Sequence, residues 1–572
     1  MGIAQGTLLR QLDEAKRCYG PGCAMACESL LQKLQNLKYP NAESLIRAHD
    51  DLLFLRAFPQ SEKVAELADS ILASLQPQVR QFADSGDAAT FDDEQVSGIA
   101  GTTLANQWTF ELARWLAHRY SGQVTAEWNV DERYRQLATV LPNCLPLLDD
   151  DSFVEADTPY LKWVENATGG QGRDLRWLVD SFKALPVSPL VRTSLYDSLG
   201  VTLHWDLRES PASRTLARRK VPKIYIHVEP LLQRKQVSLR DEMVAAPLKL
   251  KPLGRAPAQH VIDMARDVLS VRYRELQGTT CADAGHAFQA DVGRGVQLFV
   301  WGLEAQWRLP LRGYYAGFTL KNGVPVNYFE AIGLFEWMEV GFNTFYAFRE
   351  GETAWIYSKV LHALHQLAGV NCISVYPYQI GKDNEEAIKS GAFWFYRKLG
   401  FRPGRPDLLA LAEREEGKIA RDPELRTSAR TLRKLAEDHM FFEFDRAAVG
   451  RWDSFSTRTL GLAVQRKMAA EFGGDAAKMR RQAASRLSRA LGVKPHGWTE
   501  REQWALMNFA VALSLVKDIA RWTASEKQLL VAIIRAKAGR DETKYLRLLQ
   551  RHERLREAFL CIGSEGNIPA LA

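Results

Sequence analysis

The ten residues Ala392-Phe393-Trp394-Phe395-Tyr396-Arg397-Lys398-Leu399-Gly400-Phe401 close the stretch that decides the fold of this 572-residue chain. From residue 313 to residue 401, the apolar pattern predicts three strands, a glycine-containing loop, a helix, a strand and a helix, in that order. The ten residues put a tyrosine in the penultimate turn of the last helix and lead through Lys-Leu-Gly-Phe towards another strand. We therefore expect an α+β domain built on a mixed sheet with flanking helices.

Alternating apolar residues and turn signals give the bounds of the strands in this domain. The pair Asn322-Gly323 predicts a tight hairpin turn, because both residues tolerate positive φ. Helices are expected at residues 258–276 and 355–367, before and after the central strands. The predicted strands are 296–303, 311–320, 324–332, 337–348 and 370–376.

The chain is long enough for roughly three or four domains, and proline-rich punctuation helps to divide it. Three prolines between residues 247 and 257 mark a linker, so the α+β domain is assigned to residues 246–415. We expect a mainly helical region of one or two subdomains at residues 1–245. A second helical region is expected at residues 416–572.

Both helical regions are predicted from apolar residues that recur at three- and four-residue spacing. In the N-terminal region this spacing indicates helices within residues 7–75, 104–120 and 175–185. Residues 223–228 alternate and predict a short strand, and residues 440–444 predict another in the C-terminal region.

The composition is ordinary for a globular protein, with 46% hydrophobic and 25% charged residues. No apolar run approaches the roughly 20 residues needed to cross a bilayer, and the N-terminus has no hydrophobic signal core. The seven scattered cysteines favour reduced thiols over a disulfide framework. These observations predict a cytoplasmic protein without a transmembrane segment.

The positive charge of the chain is concentrated in one segment. Residues 451–501 contain eleven Lys and Arg against four Asp and Glu, which equals the net charge of +7 of the whole chain. An acidic carrier protein, nucleic acid or anionic lipid headgroups could bind such a surface, and a solvated helix face is the alternative. Basic residues at helical spacing in this segment are Lys478, Arg480, Arg481, Arg486 and Arg489.

The ending Phe-Tyr-Arg-Lys-Leu-Gly-Phe and the order of elements before it resemble the GNAT acyltransferase superfamily. The resemblance covers residues 290–405 and leaves the helical flanks unrecognised. In this superfamily two neighbouring parallel strands splay apart, and the pantetheine arm of acyl-CoA lies between them. The resemblance therefore implies transfer of an acetyl or longer acyl group from a CoA thioester to an amine.

The resemblance places the cofactor loop directly after the central strand. There Gly351 would let the pyrophosphate approach the backbone at the start of a helix, and Arg349 would add positive charge. The family pattern is Arg or Gln, two residues, Gly, one residue, and Gly or Ala. In this chain one residue separates Arg349 from Gly351 and two separate Gly351 from Ala354. The cofactor-binding residues implied in this way are Phe345, Ala347, Arg349, Gly351, Thr353, Ala354 and Asn384.

The resemblance also implies a general acid and suggests where a base should lie. Asn384, in an Asn-x-x-Ala sequence, would open the last helix, and Tyr396 would return a proton to the CoA thiolate. The distance between them is about one turn longer than usual, which we interpret as an insertion or a kink at Gly391. The candidate bases on the central strands are Glu330, Glu336 and Glu339. Among them we favour Glu339 as the base that takes the proton of the amine, with a pKa raised by burial.

Two other functions remain open from the sequence. The donor could be an acyl carrier protein bound to residues 451–501, or the α+β core could be a degenerate part of a non-catalytic helical binding protein. The acceptor is an amine of unknown identity, either a small molecule or lipid-like, and the oligomeric state is not specified. No metal is predicted, because His362 and His365 have no recognisable further ligand.

Overall fold

The computed structural model describes residues 2–20, 22–127, 140–144, 151, 160–170 and 172–564. Within these residues the protein is mixed α/β, with one large sheet and many helices. None of the helices in this part of the chain is long and apolar enough to cross a membrane.

The chain begins with five helices that pack into a bundle, as the spacing of apolar residues predicts. Asn41 and Ser61 cap two of them by accepting hydrogen bonds from backbone amides three residues later. A disulfide joins Cys18 and Cys23, which corrects the expectation that all cysteines are reduced. The helices are α1 Gly2–Ala15, α2 Cys23–Leu34, α3 Ala42–Ala57, α4 Glu62–Ser74 and α5 Gln76–Asp84.

A small three-stranded sheet with its own helices comes next along the chain. Its strands are β1 Thr103–Asn106, β2 Val124–Ala126 and β3 Leu203–Asp206, in the order β1-β3-β2. Leu104 pairs with Trp205 in this sheet, so the predicted helix 104–120 is shorter and begins only at Phe110. The helices are α6 Phe110–Arg119, α7 Tyr160–Thr168, α8 Asp174–Ala184 and α9 Pro189–Ser198.

The segment that joins this unit to the large sheet contains three helices. Residues 223–228 do not form the predicted strand, because the backbone of Tyr225 bonds to the Asn322 side chain and that of His227 to Pro59. The helices are α10 Leu239–Met243, α11 Arg255–Ser270 and α12 Gln277–Thr280.

The large sheet has nine strands in the order β11-β12-β10-β9-β8-β7-β6-β5-β4. Only β9 and β10 are parallel neighbours; all the other pairs in this sheet are antiparallel. The turn at Asn322-Gly323 has positive φ at both residues, as predicted. The strands are β4 Lys251–Pro252, β5 Ala282–Gly293, β6 Val296–Leu303, β7 Gly313–Lys321, β8 Val324–Leu334, β9 Trp337–Thr344, β10 Cys372–Val375, β11 Arg402–Pro403 and β12 Met440–Glu443.

The remaining helices cover one face of the sheet and build the C-terminal region. Gly391, at φ 67°, separates two short helices at the position where an insertion or a kink is expected from the sequence. The helices are α13 Thr353–Ala368, α14 Pro377–Ile380, α15 Glu385–Ser390, α16 Ala392–Arg397, α17 Pro406–Arg421, α18 Ala429–Leu435, α19 Thr457–Phe472, α20 Ala476–Leu491, α21 Glu500–Leu513, α22 Ala524–Ala538, α23 Glu542–Gln550 and α24 Glu553–Gly563.

The large sheet is buried on both faces by two apolar cores. The N-terminal core joins helices α1–α5 to side chains such as Phe299 and Phe318 on one face. The C-terminal core joins helix α13 and helices α21–α24 to Val300, Tyr315 and Val340 on the other face. A third apolar cluster lies between the small sheet and its helices. Since the N-terminal core continues across residue 245, the first helices and the large sheet stabilise one another.

Candidate functional site

Strands β9 and β10 separate part-way along their length. Their register pairs Trp337 with Cys372, Met338 with Ile373 and Glu339 with Ser374, and it ends there. Strand β9 continues to Thr344 beside β8, with Asn327 opposite Thr344. In the part of the chain that the structure describes, one edge of β9 after Glu339 therefore has no strand beside it.

Strand β10 ends early because a proline lies two residues after its last residue, Val375. Pro377 has no amide to donate to a ladder and begins helix α14, which carries the chain out of the sheet. The side chain of Gln379, in this helix, lies against Gly341 of β9: a Cβ atom at Gly341 would be 2.6 Å from Gln379 Nε2. Glycine at position 341 thus leaves room for the amide of Gln379 in the opening.

Tyr396 is directed towards the same opening from helix α16. Its hydroxyl donates a hydrogen bond of 3.3 Å to Gln379 Oε1. The ring is buried, 4% exposed, and packs edge-on against Tyr357 and Phe401. This burial raises the pKa of Tyr396, so the phenol stays protonated at neutral pH.

Glu339, the predicted base, forms an ion pair with a histidine that sequence reasoning did not identify. Its Oε2 lies 3.2 Å from Nε2 of His439, and Nδ1 of the same ring lies 3.4 Å from Asp438 Oδ1. Burial alone lowers the pKa of His439, but hydrogen bonds and charges of Asp438 and Glu339 outweigh it and raise the pKa to about 9. The imidazolium is therefore the main form at neutral pH.

These groups lie along β9: the Gln379 amide lies against Gly341, and the Tyr396 hydroxyl bonds to that amide. Because side chains two residues apart in a strand share a face, Glu339 is on the same face as the Gly341 position that Gln379 occupies. We call Glu339, Gly341, Gln379, Tyr396 and His439 the splay site. It combines a protonated phenol, a carboxylate and an imidazolium beside an unpaired strand edge.

The two other acids considered from the sequence are engaged elsewhere. Glu330 accepts hydrogen bonds from the Tyr314 hydroxyl at 2.5 Å and from the Gly278 amide at 3.1 Å, and burial raises its pKa. Glu336 is buried and ion-paired with Arg451 and Arg556. Of the three acids, Glu339 alone belongs to the splay site.

The predicted phosphate loop contacts the N-terminal helices. Glu350 accepts a two-armed hydrogen bond from Arg17, at 2.9 and 2.6 Å, and lies 3.4 Å from Lys16 Nζ. Gly351 packs against Phe58: a Cβ atom at Gly351 would be 2.5 Å from the Phe58 ring. The negative charge of Glu350 thus serves to dock helix α1 on the loop.

The second acid of the loop is fully buried. Glu352 is 0% exposed and accepts hydrogen bonds from Arg294 Nε, at 2.8 Å to the nearer oxygen, and from the Leu232 amide at 3.1 Å. Lys321, also 0% exposed, lies 3.7 Å from Glu352, and burial lowers its pKa to about 7. Both loop acids are therefore neutralised by cations of neighbouring elements.

Arg349 and the start of α13 come shortly after strand β9 in the chain. Arg349 forms an ion pair with Glu386 of helix α15 and stacks on Tyr346, 3.8 Å from the ring centre. The first turn of α13 has no side-chain cap. Thr353 Oγ1 is 3.4 Å from the Arg349 carbonyl, so it stays within the loop.

The other predicted cofactor residues have structural surroundings of their own. Phe345 is buried in the N-terminal core with the Arg272 guanidinium 4.2 Å from its ring centre, and Ala347 packs at the edge of that core. Ala354 is buried in the C-terminal core. Asn384 caps α15 by accepting a hydrogen bond of 3.1 Å from the Ala387 amide.

Two members of the splay site were missed from the sequence. Gln379 comes shortly after the predicted strand 370–376, and His439 directly precedes the apolar strand β12. The signal in the sequence that could have identified them is the presence of polar residues at the ends of apolar strands. In the described part of the chain, no group of three or more His, Cys, Asp or Glu could hold a metal ion.

Comparison with protein-family models, curated proteins and solved structures found no match for the chain.

Proposed function

We propose that the splay site transfers an acyl group from a thioester to an amine, as the resemblance to the GNAT superfamily implies. The observation that carries this proposal is the hydrogen bond of Tyr396 to Gln379, whose amide lies against Gly341, two residues after Glu339 in β9. These residues come from a helix and a strand, and they lie beside the strand edge where a pantetheine arm would pair. The proposal covers both the donor and the two proton transfers.

The unpaired edge of β9 after Glu339 would bind the donor. Pantetheine contains two amide groups, and exposed backbone N–H and C=O groups are obligatory hydrogen-bonding partners for such groups. To enter, the arm would displace the Gln379 side chain from its place beside Gly341. The Tyr396 hydroxyl would then be released from Gln379 and become free to donate to the thioester sulfur.

The chemistry requires one base and one acid. The amine nitrogen attacks the thioester carbonyl carbon, a C–N bond forms, and the C–S bond breaks. Glu339 takes the proton that the amine loses, and Tyr396 gives a proton to the departing thiolate. The imidazolium of His439 orients Glu339 before the amine arrives.

At the outer end of the opening, Arg349 and the uncapped start of α13 would bind a phosphate group. Glu386 competes for Arg349 in the free protein. A phosphate must therefore replace the Glu386 carboxylate at Arg349, and this competition weakens CoA binding. Substitution of Glu386 measures by how much.

Calorimetric titration with acetyl-CoA and decanoyl-CoA tests the proposal. We expect Glu386→Gln to bind CoA thioesters at least threefold more tightly than the native protein. Glu385→Gln is the matched control, because this neighbour pairs with Arg433 and is exposed. If neither variant nor the native protein binds any CoA thioester, CoA is not the donor.

An acyl carrier protein is the second candidate donor. The ion pairs of Glu350 with Arg17 and of Glu352 with Arg294 favour it, because these two cations are already engaged and Arg349 is left as the loop's own cation for a pyrophosphate. The basic face of α20 would bind the acidic carrier. Turnover with acyl carrier protein but not with acyl-CoA, lost in Arg481→Glu, would support this donor. Turnover with neither would favour a non-catalytic binding protein.

A further inference from the structure

An open groove lies between the large sheet and the C-terminal helices, away from the predicted cofactor loop. The segment before β7, the end of β8 and helices α19 and α21 enclose a volume of about 320 Å³. This is near the lower end of the volumes that hold small ligands. Its apolar lining includes Leu311, Leu334, Leu460, Val464 and Val511.

Helix α19 has a glycine on the face that lines this groove. Gly461 lies between Leu460 and Val464 at helical spacing, and a Cβ atom there would meet nothing within 4 Å. Glycine inside a helix costs about 1 kcal/mol relative to alanine. No close contact requires glycine at position 461. The missing side chain makes the groove wider at this point.

Two cations line the groove. In the described part of the chain, neither Arg312 nor Arg480 has an ion pair or a side-chain hydrogen bond. Burial lowers the pKa of Arg312, and the carboxylate that acts on it, Glu339, is hydrogen-bonded to His439. None of the residues that line the groove is acidic. The groove thus combines apolar walls with unpaired positive charge.

One further polar atom lacks a partner in this groove. Asn508 Nδ2, on helix α21, is buried and has no hydrogen-bond partner among the residues that the structure describes. A buried donor without a partner is costly, and a ligand oxygen would satisfy it. The donor and both cations favour the same kind of ligand group, an oxygen anion.

We propose that this groove binds a free medium-chain fatty acid. The aliphatic chain would lie along Leu460, Gly461 and Val464, and the carboxylate would bind Arg312 or Arg480. Charge-assisted hydrogen bonds between guanidinium and carboxylate are among the strongest available to such a ligand. This inference goes beyond the proposed acyl transfer and does not depend on it.

Titration of the full chain with dodecanoate, below its micelle concentration, tests the groove. Gly461→Phe fills the open space and should weaken binding at least tenfold, while Gly461→Ala should bind like the native protein. Thermal unfolding of both variants shows whether Gly461→Phe is folded. Equal affinity of a folded Gly461→Phe and the native protein would overturn the proposal.

A second series of titrations tests the charges. Arg312→Gln and Arg480→Gln together should weaken dodecanoate binding about tenfold or more and leave dodecanol binding unchanged. Arg489→Gln, on the same helix α20 but outside the groove, is the control. Equal affinity for dodecanoate and dodecanol would contradict the assignment of the carboxylate. If Gly461→Phe instead changes only the sedimentation of the protein, the occupant is a second copy of the chain, and the proposal fails.

Discussion

The hydroxyl of Tyr396 donates a hydrogen bond to Gln379 Oε1 across the opening between β9 and β10, with an O–O distance of 3.3 Å. Tyr357, in ring contact with Tyr396, has a buried hydroxyl that finds no hydrogen-bond partner within the described ranges of the chain. The two tyrosines share the C-terminal core and differ in this bond. They form a matched pair for mutation.

Tyr396→Phe should lower the free energy of unfolding by about 1 kcal/mol, because a buried hydrogen bond is lost. Tyr357→Phe should be neutral or stabilising, because it removes an unsatisfied polar group. Urea denaturation measures both. If the proposed function holds, Tyr396→Phe also slows turnover by about 10²-fold or more, while Tyr357→Phe does not. Equal effects of the two substitutions would rule out a special role for Tyr396.

The ion pair of Glu339 and His439 predicts a pH-dependent stability. The pKa of His439 is raised from 6.5 to about 9 in the folded protein. A raised folded pKa stabilises the protein fully below the unfolded pKa, and this stabilisation is lost as the pH rises through about 9. The stability difference between the native protein and His439→Gln should therefore shrink between pH 6 and pH 9.5, by on the order of 2 kcal/mol.

Glu339→Gln provides the control for this experiment. In that background the imidazolium loses one of its two carboxylates, so His439→Gln should have a smaller effect with a flatter pH dependence. An unchanged pH dependence would show that Asp438 alone, 3.4 Å from Nδ1, holds the charge.

Glu352→Gln should destabilise the protein strongly. Glu352 and Lys321 are both fully buried, and loss of the carboxylate would leave Lys321 and Arg294 without a buried counter-charge. We expect a loss of about 3–5 kcal/mol in the free energy of unfolding, measured by urea denaturation. Glu350→Gln, at a half-exposed ion pair with Arg17, should cost about 1 kcal/mol or less. Similar losses for both would contradict the burial argument.

Two glycines with opposite expected effects test the break in the last helix. Gly391→Ala should destabilise the protein by about 1 kcal/mol, because residue 391 has φ 67°. Gly417, inside helix α17, has open space around its Cβ position, so Gly417→Ala should stabilise by about 0.5–1 kcal/mol. Thermal unfolding measures both. Stabilisation by Gly391→Ala would mean that the helix runs unbroken.

Local signals in the sequence were sufficient where backbone geometry depends on one or two residues. Asn322-Gly323 predicted its turn, because both residue types tolerate positive φ, and the long spacing between Asn384 and Tyr396 indicated an insertion or a kink at Gly391, which has φ 67°. The central strands were predicted for a similar reason, since their apolar patterns are nearly continuous. The end of β9 was placed too late, at residue 348, because residues 346–348 form a 3₁₀ turn with equally apolar side chains.

Long-range pairing accounts for the features that the sequence did not predict. Leu104 looks helical in its local context and becomes a strand residue only through Trp205, far along the chain. Strand β5 was missed because its small residues alternate weakly. In the site, Tyr396 and Glu339 were predicted from the resemblance, whereas His439 and Gln379 join them only through the arrangement of strands β9, β10 and β12.

The shared core of the first helices and the large sheet also has a consequence for folding during synthesis. Phe91 and Ile356 belong to the same apolar cluster. At a translation rate of about 5–20 residues per second, Ile356 is added on the order of 10 to 50 seconds after Phe91. During that interval part of the apolar surface of the first helices stays exposed to solvent. A chaperone that binds nascent chains should therefore improve the yield of this protein.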